Sequence, residues 1–558
     1  MKFLLKPIVI IFLCFLQLIS IAQIQKKQIV NENPIALAKP KLIIGLVVDQ
    51  MRWDYLYKFS ALYSNTGFKR LLKEGFSCDN TMITHMPTFT AVGHAGIYTG
   101  SYPSIHGIVG NNWIDKMSGK YIYCVSDSTV TSVGTDNDEG EMSPRNMLAN
   151  TITDELRISN NFKSKVIGIS LKDRGSILPA GHSANAAYWF DDKQGNWISS
   201  SYYMKALPDW VNVFNALKQP EGFVNKEWNL LYPASSYSLS TADQQGYEGT
   251  ITGEKTTTFP HLLNLDKEKK YVAFKSTPYG NTFTLDFAKT AIQNENLGKG
   301  TVPDFLTISL SSTDYIGHVF GPNSMEIEDT YLRLDNDISD FLKYLDSTYG
   351  KNNYLIFLTA DHGVAHNPEF LTQNKIPAGK FAAKDMIKEI NDSLEVKFNV
   401  KNGILKYENF QLYINYNAFR DKQDTESVEN ISIVNYVIQL LNKKPYTLEA
   451  YYLHDLSNIN IGEPIKQMSL NSYYSQRSGD VQVIPMPNYF DGNKTGTTHG
   501  DWNPYDAHIP LVWYGWNIKP GRTHHEVHMT DIASTLAALL DIQMPNGSVG
   551  KVIEEVIK

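Results

Sequence analysis

Five apolar runs recur along the chain: KLIIGLVVDQ, KVIGISLKDR, DFLTISLSSTD, NYLIFLTADHG and IPLVWYG. Each is apolar at consecutive positions rather than at every second one. That is the pattern of a strand covered on both faces, so the runs predict a buried parallel sheet. Helical spacing fills the intervals. In EDTYLRLDNDISDFLKYL the residues Tyr331, Leu334, Ile338, Phe341 and Leu345 fall on one stripe. Near the C-terminus MTDIASTLAALLDI repeats Ile532, Leu536 and Leu539 behind a Thr530–Asp531 cap. Strands alternating with helices predict an α/β sandwich: a mostly parallel central sheet with helices on both faces.

Two long segments break this rhythm. Residues 195–300 and 370–490 are polar and aromatic-rich, carry turn signals such as STPYGN and FDGNKTG, and read as cap segments inserted at one edge of the sheet. The first residues differ again. Lys2 and Lys6 precede PIVIIFLCFLQLISIA, and Ser20 and Ala22 are the small residues that signal peptidase requires before Gln23. Residues 1–22 therefore read as a signal peptide, leaving 23–558 as the mature chain in the periplasm or outside the cell. The apolar run is short for a retained span, so no stable membrane span is expected after cleavage.

Composition narrows the field. The chain has 558 residues, 42% hydrophobic and 20% charged, enough for a large globular core with insertions. Its formal net charge is -7, and removing a leader with two lysines and no acids makes it -9. An acidic protein lacks the basic footprint of a nucleic-acid binder, so no nucleic-acid partner is expected. After export Cys78 and Cys124 remain. They either pair as a disulfide or stay as two buried thiols.

The chemistry stands at the ends of the runs. The first stops at Asp49, the second at Lys172 and Arg174, the third at Asp314 and His318, the fourth at Asp361 and His362. In open α/β folds, sites form outside the carboxyl ends of the strands. Asp314 and His318 are four apart, one helical turn, and face the same side. Asp361 and His362 are adjacent and reach one ion only if the chain bends, which Gly363 permits. GTTHGDWNPYD adds His499. A lone Asp or His is more often a cap or a core residue. Three of each at strand ends make two ligand sets of the nitrogen–oxygen kind zinc accepts. Lys172 and Arg174, two apart on a strand, face the same side with Asp173 pointing away.

These stretches, VVDQMRWDYL, MPTFTAVGHAGIYTGSYPSIHGIVGNNW, SLKDRGSI, SSTDYIGH, LTADHGV and GTTHGD, resemble the alkaline phosphatase superfamily of metal-dependent phosphohydrolases. The likeness is to its exported bacterial monoesterases, which share a nucleophile loop with nucleotide pyrophosphatase/phosphodiesterases. The resemblance implies Thr90 as nucleophile, passing through a phosphothreonine. It implies two zinc ions, one held by Asp49, Asp361, His362 and Thr90, the other by Asp314, His318 and His499. Asn111, Lys172 and Arg174 would grip the phosphoryl oxygens of small phosphate monoesters, with Lys172 in place of a third metal. His94 and His106 would brace the loop, and Thr84 and Thr88 would build its corner. The loop TFTAVGH lacks the cysteine or serine of a sulfatase. A phosphodiesterase or nucleotide pyrophosphatase on the same scaffold is the alternative. The full ligand set argues against a non-catalytic binding protein, which has no use for a metal-activated hydroxyl.

Overall fold

The structure is a computed structural model that describes residues 39–419, 428–492 and 494–558; the signal-peptide reading lies outside the described residues. Residues Pro40–Lys558 form one compact unit. Its main sheet runs, edge to edge among the described residues, Gly521–Thr523, Phe76–Cys78, Leu511–Gly515, Tyr354–Thr359, Leu42–Val48, Asp304–Leu310, Val166–Ser170, Ala186–Asp191, Asn196–Ser200 and Ser132–Val133. The five strands from Tyr354–Thr359 to Ala186–Asp191 are parallel. Every residue of Leu42–Val48, Asp304–Leu310 and Tyr354–Thr359 is buried, which explains why these runs are apolar without alternation. IPLVWYG joins the sheet as Leu511–Gly515 but runs antiparallel to Tyr354–Thr359.

Register brings the polar ends together. Val48 lies opposite Leu310, Val47 opposite Thr359, and Ser309 opposite Ser170, so these strands finish side by side. The residues that follow, Asp49, Ser311, Ala360 and Leu171, emerge at one edge.

The two predicted helices form. Met325–Tyr349 is capped by Ser324, whose side chain accepts from the Ile327 N–H, and its stripe Tyr331, Leu334, Ile338, Phe341 and Leu345 is buried. Asp531–Leu539 begins after Thr530, but the threonine side chain makes no capping bond. The Asp531 carboxylate instead accepts from the N–H groups of His528 and Lys551.

The segment 195–300 opens with Asn196–Ser200, a strand of the main sheet. The segment 370–490 carries its own antiparallel sheet, ordered Ile404–Glu408, Gln411–Ile414, Val481–Pro485, Thr447–Tyr452, covered by the helix Ala383–Phe398. Met386, Ile390, Leu394, Leu412 and Val483 belong to its separate core. The turn between its first two strands has Asn409 and Phe410 at φ 57° and 60°. Asn409 Nδ2 donates to the Asn112 carbonyl at 2.7 Å, so the tip of this hairpin rests beside Asn111.

The cysteines do not pair. Cys78 and Cys124 are both free and buried. Cys78 packs into the core of the main sheet, whereas Cys124 belongs to a second apolar cluster with Trp113, Ile177 and Trp189. Each thiol fills space in its own cluster, and burial pushes both well above the usual thiol range. Among the described residues no helix is long and apolar enough to cross a membrane.

Candidate active site

Thr90 is the first residue of a helix, Thr90–Thr99, whose ten residues are all buried. The corner before it is tied to a distant loop. The Thr88 N–H donates to the Gly500 carbonyl at 3.1 Å and its hydroxyl to the Asp501 carbonyl at 3.0 Å. The Thr88 carbonyl in turn accepts from His499 Nδ1 at 2.7 Å. Gly93 lets the helix approach the sheet: a Cβ there would stand 2.2 Å from the Asp361 carbonyl oxygen. His94 braces the first turn, its Nδ1 donating to the Thr90 carbonyl at 2.8 Å and its Nε2 meeting the Ser309 hydroxyl at 2.9 Å. His106 Nδ1 accepts from the Ile108 N–H at 3.1 Å, again within the loop. Thr84 donates to the Tyr102 hydroxyl at 3.3 Å.

All six predicted ligands converge beside Thr90. Ligand atoms of Asp314, His318 and His499 lie within 4.8 Å of one another, as do those of Asp49, Asp314 and His362. The second grouping cuts across the expected sets, because Asp314 stands between them. Asp361 adjoins through its Oδ2, 3.5 Å from His362 Nε2. Thr90 Oγ1 is 3.4 Å from that same Nε2. Gly363 does not act through a left-handed bend. A Cβ there would meet the Tyr505 carbonyl oxygen at 2.2 Å, so the glycine serves close packing.

The imidazoles are oriented for binding. Nδ1 of His318, His362 and His499 donates to the carbonyls of Thr497, Gly363 and Thr88 at 3.0, 2.9 and 2.7 Å. A neutral ring that donates from Nδ1 keeps a lone pair on Nε2, and all three Nε2 atoms face the carboxylates. Asp49 Oδ1 is buried with no hydrogen-bond partner, and Asp361 Oδ2 is buried with only His94 Nδ1 beside it, 3.2 Å away and already donating to the Thr90 carbonyl. Such atoms are costly unless a cation takes them.

Charge supports the same conclusion. Two of the three buried carboxylates share one buried ammonium, Lys172, whose Nζ donates to Asp49 Oδ2 at 2.7 Å and Asp314 Oδ2 at 2.6 Å. Burial would raise Asp314, but Lys172 and His318 outweigh it and hold this carboxyl well below the usual range. Burial and then Asp361 push Asp49 well above that range against the pull of Lys172. Burial lowers the His362 imidazole to about 3, so it stays a neutral ligand. The shortfall of positive charge shows at Asp49, whereas Asp361 is held below the usual range because His362 and His94 outweigh its burial.

Lys172 and Arg174 do not share a strand. The strand ends at Ser170, Lys172 caps the helix Asp173–Ala180, and Arg174 lies in its first turn. The helical twist sends the two side chains to different partners. Lys172 is 3% exposed and its Nζ reaches Thr90 Oγ1 at 3.3 Å. Arg174 Nη1 donates to the Tyr123 hydroxyl at 3.1 Å, and that hydroxyl donates to Asp173 Oδ1 at 2.6 Å. Asp173 thus takes part instead of pointing away. Asn111 Oδ1 accepts from the Ala91 N–H at 3.1 Å, which sets it at the N-terminus of the Thr90 helix. Free N–H groups and the helix dipole favour an anion at such an end.

Three residues lay beyond sequence reasoning. Tyr123 lies outside every quoted motif, on the short strand Tyr121–Tyr123 that folds back on the end of the Thr90 loop motif and places Tyr123 opposite Asn112. Asp506 Oδ2 accepts from the N–H groups of Gly500 and Asp501, holding the His499 loop. Gln50 touches both aspartate groups, and its only sequence signal is its place directly after Asp49.

The sequence profile of the family "Type I phosphodiesterase / nucleotide pyrophosphatase" matches residues 43–509. A Myroides odoratus protein named calcium-transporting ATPase is 51% identical, over 94% of this chain and 95% of its own length. The alkaline phosphatase PhoV of Synechococcus elongatus is 49% identical, over 97% of each chain. The crystal structure of wild-type alkaline phosphatase PafA superposes with a TM-score of 0.90 at 48% identity, covering 94% of this chain and 100% of that one.

Proposed function

The chain belongs to the type I phosphodiesterase / nucleotide pyrophosphatase family, and on that footing we propose that it is an exported alkaline phosphatase. It hydrolyses small phosphate monoesters through a phosphothreonine at Thr90. Its similarity to PhoV and PafA over nearly the whole chain supports the activity. The observation that carries the reading is Lys172: one buried ammonium reaches Thr90 Oγ1 and a carboxylate on either side.

The donors fit two zinc ions. Three carboxylates and three imidazoles presenting Nε2 are the ligands zinc accepts, and Asp49 Oδ1, buried without a partner, and Asp361 Oδ2, with only His94 Nδ1 beside it, are the atoms a cation would take. Asp49, Asp361 and His362 with Thr90 would hold one ion, and Asp314, His318 and His499 the other. When bound, the pair supplies activation of the threonine hydroxyl and neutralisation of the leaving oxygen.

The chain's own residues do the rest. Asn111 and the N-terminus of the Thr90 helix hold the phosphoryl group in line. Lys172, already within 3.3 Å of Thr90 Oγ1, donates to a phosphoryl oxygen. Thr90 Oγ gives up its proton to solvent and bonds to phosphorus as the bond to the ester oxygen breaks, and the departing alcohol takes a proton from solvent. Water then attacks the same phosphorus, releasing phosphate and restoring the hydroxyl. A dianionic monoester gains more from Lys172 and Arg174 than a singly charged diester does. His94 lies behind the helix as a brace. The leader at residues 1–22 and the acidic chain suit the periplasm or the exterior.

The family's name keeps a diesterase in view. Comparing kcat/KM for an aryl phosphate monoester and the matching diester decides it: the monoester is expected to be the better substrate, and a diester preference rejects the reading. The Myroides odoratus name speaks of calcium transport and of ATP hydrolysis. The site bears only on the second, since ATP ends in the same dianionic group. Chelation with EDTA is expected to abolish monoester hydrolysis and zinc to restore it. Zinc at about 1,000 times its Kd stabilises by about 4 kcal/mol, so the thermal midpoint falls and recovers in parallel. Full activity after metal removal contradicts the proposal.

A further inference from the structure

We propose that Gln50 is a positioning residue that ties the two cation groups together, orienting Asp361 through its backbone and Asp314 through its side chain. This rests on the two-zinc reading above. The Gln50 N–H donates to Asp361 Oδ1 at 3.1 Å, and its Nε2 donates to Asp314 Oδ1 at 2.7 Å. One residue thus bonds a carboxylate from each group. A carboxylate oxygen has two lone pairs, so Asp314 Oδ1 accepts from Gln50 and still offers one to an ion. Partners of this kind fix the direction of a ligand and tune its affinity.

Two independent features show that the fold accommodates this carboxamide. Gln50 has a φ of 65°, a left-handed conformation that a side chain of its length rarely adopts. The extended strand Leu42–Val48 has just ended, and with the Gln50 N–H held by Asp361 the left-handed φ sets the direction of the side chain and of the chain beyond. The second feature is on the helix Ser312–Phe320, which carries Asp314 and His318. Between them stands Gly317, where a Cβ would lie 1.8 Å from Gln50 Oε1. Glycine inside a helix weakens it. Here the missing side chain is the notch in which the carboxamide lies. Gln50 is 2% exposed, so water does not compete for its bonds.

The two bonds are separable. Gln50→Gly keeps the backbone N–H to Asp361 and suits the left-handed φ, but removes the bond to Asp314. Gln50→Asn also tolerates that φ and keeps a carboxamide, one methylene too short to reach. Zinc affinity is read by competition with a chromophoric chelator on purified protein. In both variants one of two zinc equivalents is expected to weaken about 10- to 100-fold while the other is unchanged. Equal weakening of both equivalents, or no change in either, overturns the role of Gln50. If the unaltered protein binds fewer than two equivalents, the two-zinc reading itself fails, and with it this proposal. A purely structural role would lower stability without separating the two affinities.

Discussion

Thr90→Ala is expected to lower kcat for an aryl phosphate monoester on the order of 10⁴- to 10⁶-fold, as removal of a nucleophile does. The side chain is 2% exposed and small, so its loss leaves little cavity and the fold stands. The backbone bonds of the corner, from Thr88 to Gly500 and from His94 to the Thr90 carbonyl, do not involve the hydroxyl. Zinc content should therefore persist while activity goes. Acid quenching during turnover separates a nucleophile from a mere ligand. Labelled phosphate stays bound to the unaltered protein and is absent from Thr90→Ala. A variant that still retains label places the covalent step elsewhere.

Lys172→Ala has the second-largest effect, and it divides by substrate. Removing a preorganised charge from a buried site costs about 10²- to 10³-fold, so kcat/KM for the monoester should fall by that much. The diester carries one charge fewer and should lose less. A second consequence follows from the ion pairs. Lys172 is the partner of Asp49 and Asp314, and removing one member of a buried pair costs about 3–5 kcal/mol. Added zinc supplies positive charge at the same carboxylates. The thermal midpoint should drop more in metal-free Lys172→Ala than in the zinc-loaded variant. Equal loss on monoester and diester contradicts the assignment of Lys172 to the dianion.

The parts legible in the sequence were those with a strong local cause. Leu42–Val48, Asp304–Leu310 and Tyr354–Thr359 are apolar because both faces are covered, and their last residues turn polar where the sheet ends. That contrast exposed Asp49, Asp314 and Asp361. Thr90 came from resemblance, since nothing in its spacing distinguishes it from Thr88. Strand direction was invisible: Leu511–Gly515 has the composition of its neighbours but runs opposite, and direction depends on the connection rather than the run. Lys172 and Arg174 were misread because the strand stops at Ser170 and a helix starts at Asp173. A boundary two residues early changes which side each chain faces. The small sheet within 370–490 escaped because a strand such as Gln411–Ile414 has only four residues, too few for a pattern. Gln50 escaped because its importance lies in contacts more than two hundred residues away.

Anomalous diffraction at the zinc absorption edge, from crystals of the metal-loaded protein, tests the central claim most directly. Two peaks are predicted, one among Asp49, Asp361 and His362 beside the Thr90 hydroxyl, the other among Asp314, His318 and His499. A map with no peak at these residues, or with zinc bound only elsewhere on the chain, would contradict the account.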